Sequence, residues 1–116
     1  MILLDYKDRR PIYEQVKSKL EELILLGVFN ESDPLPSVRS LASELSVNPN
    51  TIQRTYTELE REGWIVTIKG RGSFVSNVNV KKMETEKNWT SDFVKLVDEG
   101  IKIGISKEKM IELIEK

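Results

Sequence analysis

Between Pro11 and Leu26 the apolar residues Ile12, Val16, Leu20, Leu23 and Ile24 fall three or four positions apart or side by side. That spacing lines one side of an α-helix. Pro11 suits the first helical position, where a missing N–H costs nothing, and Gly27 suits the place just past the end. Glu14, Gln15, Lys17, Lys19 and Glu21 lie beside the stripe and read as a solvated face. The stretch VFNESDPLP, with two prolines, predicts a loop. Val38, Leu41, Ala42 and Leu45 then mark a helix of about two turns, with Ser37 as its cap. After the short turn SVNP, Asn48 caps and Pro49 begins a third helix, which carries Ile52, Tyr56 and Leu59 on one side and stops at Gly63.

The period then changes. Two β-rich runs, Trp64–Ile68 and Ser73–Ser76, flank Lys69-Gly70-Arg71-Gly72 and predict a hairpin with a cationic tip. Two helices separated by a tight turn and followed by a hairpin describe a winged helix-turn-helix. Beyond residue 76 a polar stretch leads into Trp89, Phe93, Val94, Leu96 and Val97, with Gly100 as a stop. A last helix is capped by Ser106 and carries Met110, Ile111 and Ile114 on one face. The expected fold is α+β and mainly α: a winged helix-turn-helix over 1–76 and a helical appendage over 77–116. So short a tail needs a surface to pack on, its own winged domain or a second chain.

Composition narrows the chemistry. Hydrophobic residues make up 39% of the 116 and charged residues 32%, which suits an ordinary folded protein. Cysteine and histidine are both missing, which removes disulfides, thiolate metal sites and the commonest nucleophile–base pairs. No catalytic carboxylate pair or phosphate-binding glycine loop is recognisable, so no enzyme, cofactor or metal site is expected. No apolar run reaches the length of a membrane span and the N-terminus lacks the form of a signal peptide, so a cytoplasmic chain is expected. Net charge is −1, so any nucleic-acid surface must concentrate its positive charge locally.

Such a concentration is available. On a helical wheel Ile52, Tyr56 and Leu59 cluster within about 60°, and Asn50, Arg54 and Thr57 fall opposite them, with Gln53 on a flank. Asn50, Thr51, Gln53 and Arg54 are the residue types that read base edges from the first turns of a recognition helix. Asn48 sits where backbone N–H groups at a helix start face phosphate. On an isolated helix this face would simply be solvated. A short helix before it and a cationic hairpin after it favour DNA. Lys69 and Arg71 are then candidate phosphate or minor-groove contacts, and Gly70 and Gly72 permit close approach. Arg39 either reaches a phosphate or pairs with Glu44 or Glu58. Lys7, Arg9 and Arg10 add to the patch if the N-terminal arm lies nearby. Tyr56, Trp64, Phe74 and Trp89 read as core aromatics.

The pieces PIYEQVKSKLEELILLG, LPSVRSLASELSVNPNTIQRTYTELEREGWI and KGRGSFVS, running in that order over about residues 9 to 76, resemble the GntR family of bacterial transcription regulators. The form VNPNTIQRTYTELEREG and the short tail resemble its YtrA-like subfamily. The resemblance implies a homodimer on a palindromic double-stranded operator, usually a repressor and often of an adjacent transporter operon. It carries DNA contact onto Arg39, the first turn of NPNTIQR and the glycine-bearing wing, and dimerisation onto the tail. Here the tail residues expected to meet a twin are Trp89, Phe93, Val97, Met110, Ile111 and Ile114. Many large relatives have arginine at the places of Pro49 and Gln53, so those contacts do not carry over. The tail is too short for their ligand-binding domain, so no effector pocket is supported. A rival reading is a winged-helix protein-interaction module that touches no nucleic acid.

Overall fold

The computed structural model describes residues 4–116. Its elements are α1 (Ile12–Leu25), α2 (Val38–Leu45), α3 (Pro49–Arg61), β1 (Ile65–Ile68), β2 (Gly72–Val75), α4 (Asn79–Lys102) and α5 (Lys107–Ile114). Two compact units divide the chain, Met1–Asn79 and Val80–Lys116.

In the first unit, α3 packs against both α1 and α2 and leads into β1. The predicted stripes supply the core: Val16, Leu20, Leu23 and Ile24 from α1, Leu41 and Ala42 from α2, and Ile52, Tyr56 and Leu59 from α3. Trp64, Ile65 and Val75 close it from the hairpin, with Leu35 and Val78. The caps act as expected. Ser37 Oγ accepts from Ser40 N at 3.0 Å, and Asn48 Oδ1 accepts from Asn50 N at 2.8 Å. The turn between α2 and α3 is made by Ser46, held at φ +56. There Val47 N reaches back to the Ala42 carbonyl, which closes the helix in the left-handed manner usually given to glycine.

The wing is a two-stranded antiparallel sheet in the register Ile65↔Val75, Val66↔Phe74, Thr67↔Ser73 and Ile68↔Gly72. Gly72 therefore belongs to β2 and not to the tip. Gly70, at φ +79, occupies the one tip position that requires a left-handed backbone. The segment expected to be a plain loop stiffens the wing from outside. Ser32 N donates to Val75 O, Val75 N to Asp33 O and Leu35 N to Ser73 O, at 2.8, 2.9 and 2.9 Å. These bonds tie β2 to the segment that enters α2.

The face of α1 expected to be solvated is not so. Gln15 is buried and staples the N-terminal arm, accepting from Asp5 N at 3.2 Å and donating to Arg10 O at 3.0 Å. Lys17 and Glu21 are half-buried, because Glu58 of α3 and Glu62, just past its end, lie against this side of α1.

The second unit is a helical hairpin. The polar stretch after residue 78 is already helix, and α4 runs through the expected stop at Gly100 to Lys102. The true stop is Gly104, at φ +88, where Ile105 N bonds back to Gly100 O. Gly100 serves another purpose. A Cβ there would lie 2.8 Å from Met110 Cε, so its bare backbone is where α5 crosses α4. It is the only buried residue of this unit. Trp89, expected in a core, is 63% exposed and stacks on Phe93 with ring centroids 5.2 Å apart.

Candidate nucleic-acid interface

The exposed side of α3 follows from how its other sides are used. Ile52 and Leu59 face the core, and Thr55, fully buried, lies against α1 with its hydroxyl 3.1 Å from the Tyr13 carbonyl. Tyr56 turns toward the start of α2 and donates to the Pro36 carbonyl at 2.6 Å. Burial pushes the Tyr56 phenol up to about 12, so at neutral pH it is a donor and uncharged. These contacts leave Asn50, Gln53, Arg54 and Thr57 exposed, with Thr51 half-buried beside them.

The four exposed residues are not equivalent. Gln53 Nε2 donates to Thr57 Oγ1 at 3.3 Å, one turn on. Both line a cleft of about 460 Å³ whose opposite wall is the wing, with Thr67, Arg71 and Ser73, and whose floor is Pro36 and Ser37. Glu60 lies in the same wall as Gln53, a carboxylate that the sequence reading passed over. Arg54 leans the other way. Its Cζ sits 3.6 Å over the Tyr13 ring of α1, with Nε 3.8 Å from Glu58 Oε1. The spacing within α3 could not reveal this, because Tyr13 comes from a helix more than forty positions away.

The cations expected to bind phosphate differ in their ties. Arg39, Lys69 and Arg71 are exposed, and among the described residues none of them makes an ion pair. Arg39 therefore pairs with neither Glu44 nor Glu58. Arg10 is already engaged by Asp8 at 2.8 Å and by the Ser18 hydroxyl at 3.0 Å, and this pairing holds the Asp8 carboxyl below its usual value. Lys17 is drawn into an acidic setting of Glu62, Glu21 and Glu58, and the bond to Glu62 first of all raises its pKa. Chemically the surface offers amide and hydroxyl groups at the centre and cations on the wing and at the head of α2. Among the described residues no cluster of acidic side chains could hold a metal ion, and no helix is long and apolar enough to cross a membrane.

Comparison with known proteins gives this arrangement its context. Residues 12–75 match the sequence profile of the bacterial regulatory proteins of the gntR family. The HTH-type transcriptional repressor YtrA of Bacillus subtilis (strain 168) is 39% identical over 118 residues, covering 100% of this chain and 91% of that one. A transcriptional regulator from Oenococcus oeni has a crystal structure that matches at a TM-score of 0.77 and 29% identity, covering 99% of this chain and 97% of that one. AraR(DBD) in complex with operator ORE1 matches at a TM-score of 0.57 and 25% identity, over 66% of this chain and 93% of that one. The profile spans α1 through β2, and the likeness to YtrA runs on through the tail. The chain therefore belongs to the GntR family of bacterial regulatory proteins, among its YtrA-like members, and it is a winged-helix transcription regulator rather than an enzyme.

Proposed function

We propose that this chain is a homodimeric repressor that binds a palindromic operator, in keeping with the resemblance at the promoter of an adjacent transporter operon. The observation that carries the reading is the cleft between α3 and the wing. It places Gln53 and Thr57 on one wall and Arg71 on the other. Asn50, Thr51, Gln53 and Arg54 face the DNA from α3, and the Asn48 cap aims the first N–H groups of that helix at a phosphate. Arg39, Lys69 and Arg71 bind the backbone on either side, with Gly70 and Gly72 letting the wing approach closely. AraR(DBD), a relative by structure, is bound to its operator, and YtrA is named a repressor.

The winged part, through residue 76, holds the DNA, and the tail from residue 77 joins two chains. In support, the tail unit buries only Gly100 and exposes Trp89, Phe93, Ile111 and Ile114, while Val97 and Met110 are half-covered. An open apolar groove of about 510 Å³ lies between α4 and α5. Two-fold pairing of these faces sets two α3 helices roughly 34 Å apart, one turn of B-DNA, and demands a site with matching symmetry.

The test is selection of duplexes from a random library by the full chain, followed by gel shift at low salt and by mass measurement in solution. Enrichment of an inverted repeat bound by a dimer is the expected result. No binding to any enriched duplex would end the DNA reading. Equal subunit masses for the full chain and for a chain ending at Asn79, which keeps Val78 in the core, would end the tail's role.

A further inference from the structure

Arg54 has the chemistry of a guanine reader but the wrong posture. Its guanidinium is held 3.6 Å over the Tyr13 ring, on the α1 flank of α3, whereas Gln53 and Thr57 face the wing on the other flank. Successive residues of a helix point about 100° apart, so Gln53 and Arg54 cannot both enter the same groove floor. Among the described residues no hydrogen bond uses the donors of Arg54. Its Nε is 3.8 Å from Glu58 Oε1, beyond hydrogen-bond reach, and its side chain is 59% exposed. A guanidinium stacked on a ring keeps its N–H groups pointing outward in its own plane, the geometry that suits a phosphate.

The surroundings add a second reason for the posture. Beside Arg54 lies Glu58, which shares the ammonium of Lys17 with Glu21 and Glu62. Glu58 lies within 4 Å of both Arg54 and Lys17, and its side chain is 23% exposed against 59% for Arg54. A DNA backbone passing this flank meets Arg54 in front of Glu58.

Building on the DNA-binding reading above, we propose that Arg54 is a backbone-phosphate contact that also screens Glu58 from the DNA, and that Tyr13 is its positioning residue. Base reading then falls to Asn50, Gln53 and Thr57. The ring is separable from the helix packing: the Tyr13 backbone carbonyl receives Thr55 Oγ1 whatever its side chain, and among the described residues the phenol bonds to the adjacent Glu14, at 3.2 Å.

Fluorescence-anisotropy titrations of the full chain against a selected duplex and a scrambled one decide the matter, with thermal melting as control. Wild-type binding to the selected duplex is the reference, and its absence would sink the DNA reading rather than this one. Tyr13→Phe, which keeps the ring, is expected to bind within about twofold of wild type, while Tyr13→Leu weakens both duplexes by about 5- to 30-fold for the two rings of a dimer. Arg54→Ala is expected to weaken both duplexes alike, by about 10- to 60-fold, and to flatten the salt slope by about 1.8 for two lost phosphate contacts. In a Glu58→Gln background the Arg54→Ala loss should shrink, because no carboxylate is left to uncover. A change in preference between the two duplexes on losing Arg54 would overturn the phosphate role. Equal loss with and without Glu58 would overturn the screening. Tyr13→Leu binding like wild type, or Tyr13→Phe falling as far as Tyr13→Leu, would overturn the positioning. Should Tyr13→Leu melt early, Arg54→Lys supplies the same test, since an ammonium stacks less well and must lose affinity while melting as wild type does.

Discussion

Salt dependence offers the most quantitative check on the interface. Of the exposed cations on α2, α3 and the wing, four per chain are assigned to DNA, Arg39, Arg54, Lys69 and Arg71, while Arg61 lies at the far end of α3. A dimer brings eight. If each neutralises one phosphate, the slope of log Kobs against log[salt] is about −0.9 for each, or about −7 in all. Raising KCl threefold then weakens binding by about 10³-fold. The perturbation that tests the count is Lys69→Ala with Arg71→Ala, which deletes the wing's half of the charge while leaving Gly70 and Gly72 in place. The slope should fall to about −3.5. Anisotropy titrations from 100 to 300 mM KCl, on a duplex long enough to fill both half-sites, read it directly. A slope shallower than about −2 for the wild-type chain, or one the double substitution leaves unchanged, refutes the assignment of these residues to DNA. A module that docks on protein predicts that indifference.

Other substitutions probe single features. Gln53→Ala should lower preference for the selected over the scrambled duplex by about 1–3 kcal/mol per half-site, with little change in salt slope; competition binding measures it. Tyr56 holds a proton to about pH 12 when folded, against the ordinary phenol value of 10.0, so its share of stability is intact below pH 10 and is lost as pH rises through 12. That share is about 2–3 kcal/mol. Tyr56→Phe should therefore be about 1–2 kcal/mol less stable at pH 8, where the Pro36 carbonyl loses its donor, with the gap closing or reversing by pH 11.5 in denaturant titrations. Gly100→Ala should be tolerated, since the Met110 methyl can swing aside, whereas Gly100→Val should cost about 1–3 kcal/mol in thermal unfolding because its branches also meet Ile105. Phe93→Asp, placing a charge in the α4–α5 groove, should convert the dimer to a monomer by light scattering without unfolding α1–α3.

Much of this was legible in the residues. Helix limits followed from Ser37, Asn48, Pro49, Gly63 and Ser106, because a cap acts on its neighbours and needs no knowledge of the rest of the fold. The core stripes of α1, α2 and α3 were legible for the same reason: period alone fixes which residues share a side. The misreadings have one source. Gly100 looked like a stop because glycine is a poor helix former, yet α5 passing over it imposes a need for the missing side chain that only the folded hairpin reveals. Lys17 and Glu21 looked solvated because nothing near them announces that Glu58 of α3 and Glu62 at its end will arrive. Arg54 was placed on the reading face by its wheel angle, correctly as far as exposure goes, and was then turned aside by an aromatic ring from α1. The strand-like pairing of Ser32–Leu35 with β2 is of the same kind, since its partner lies some forty residues downstream.

Dividing the labour between short amides and long cations has a consequence for the tail. Cations bind any sequence, so what distinguishes one site is the few polar groups of α3, each worth about 1–3 kcal/mol against a mismatched base pair. With three such residues per chain, a lone winged unit discriminates by about 3–9 kcal/mol, and only the top of that range reaches the roughly 8 kcal/mol that about 10⁶ competing sites in a genome demand. Two units on a two-fold axis bind the same site together, and their discriminations add as free energies. The hairpin of α4 and α5, which buries one glycine and leaves its aromatics bare, is poorly suited to standing alone and well suited to that joining. The unit that touches no DNA in this scheme sets how selectively the other does, so damage to the tail should appear in binding data as lost selectivity and a halved salt slope, with the fold of α1 through β2 unharmed.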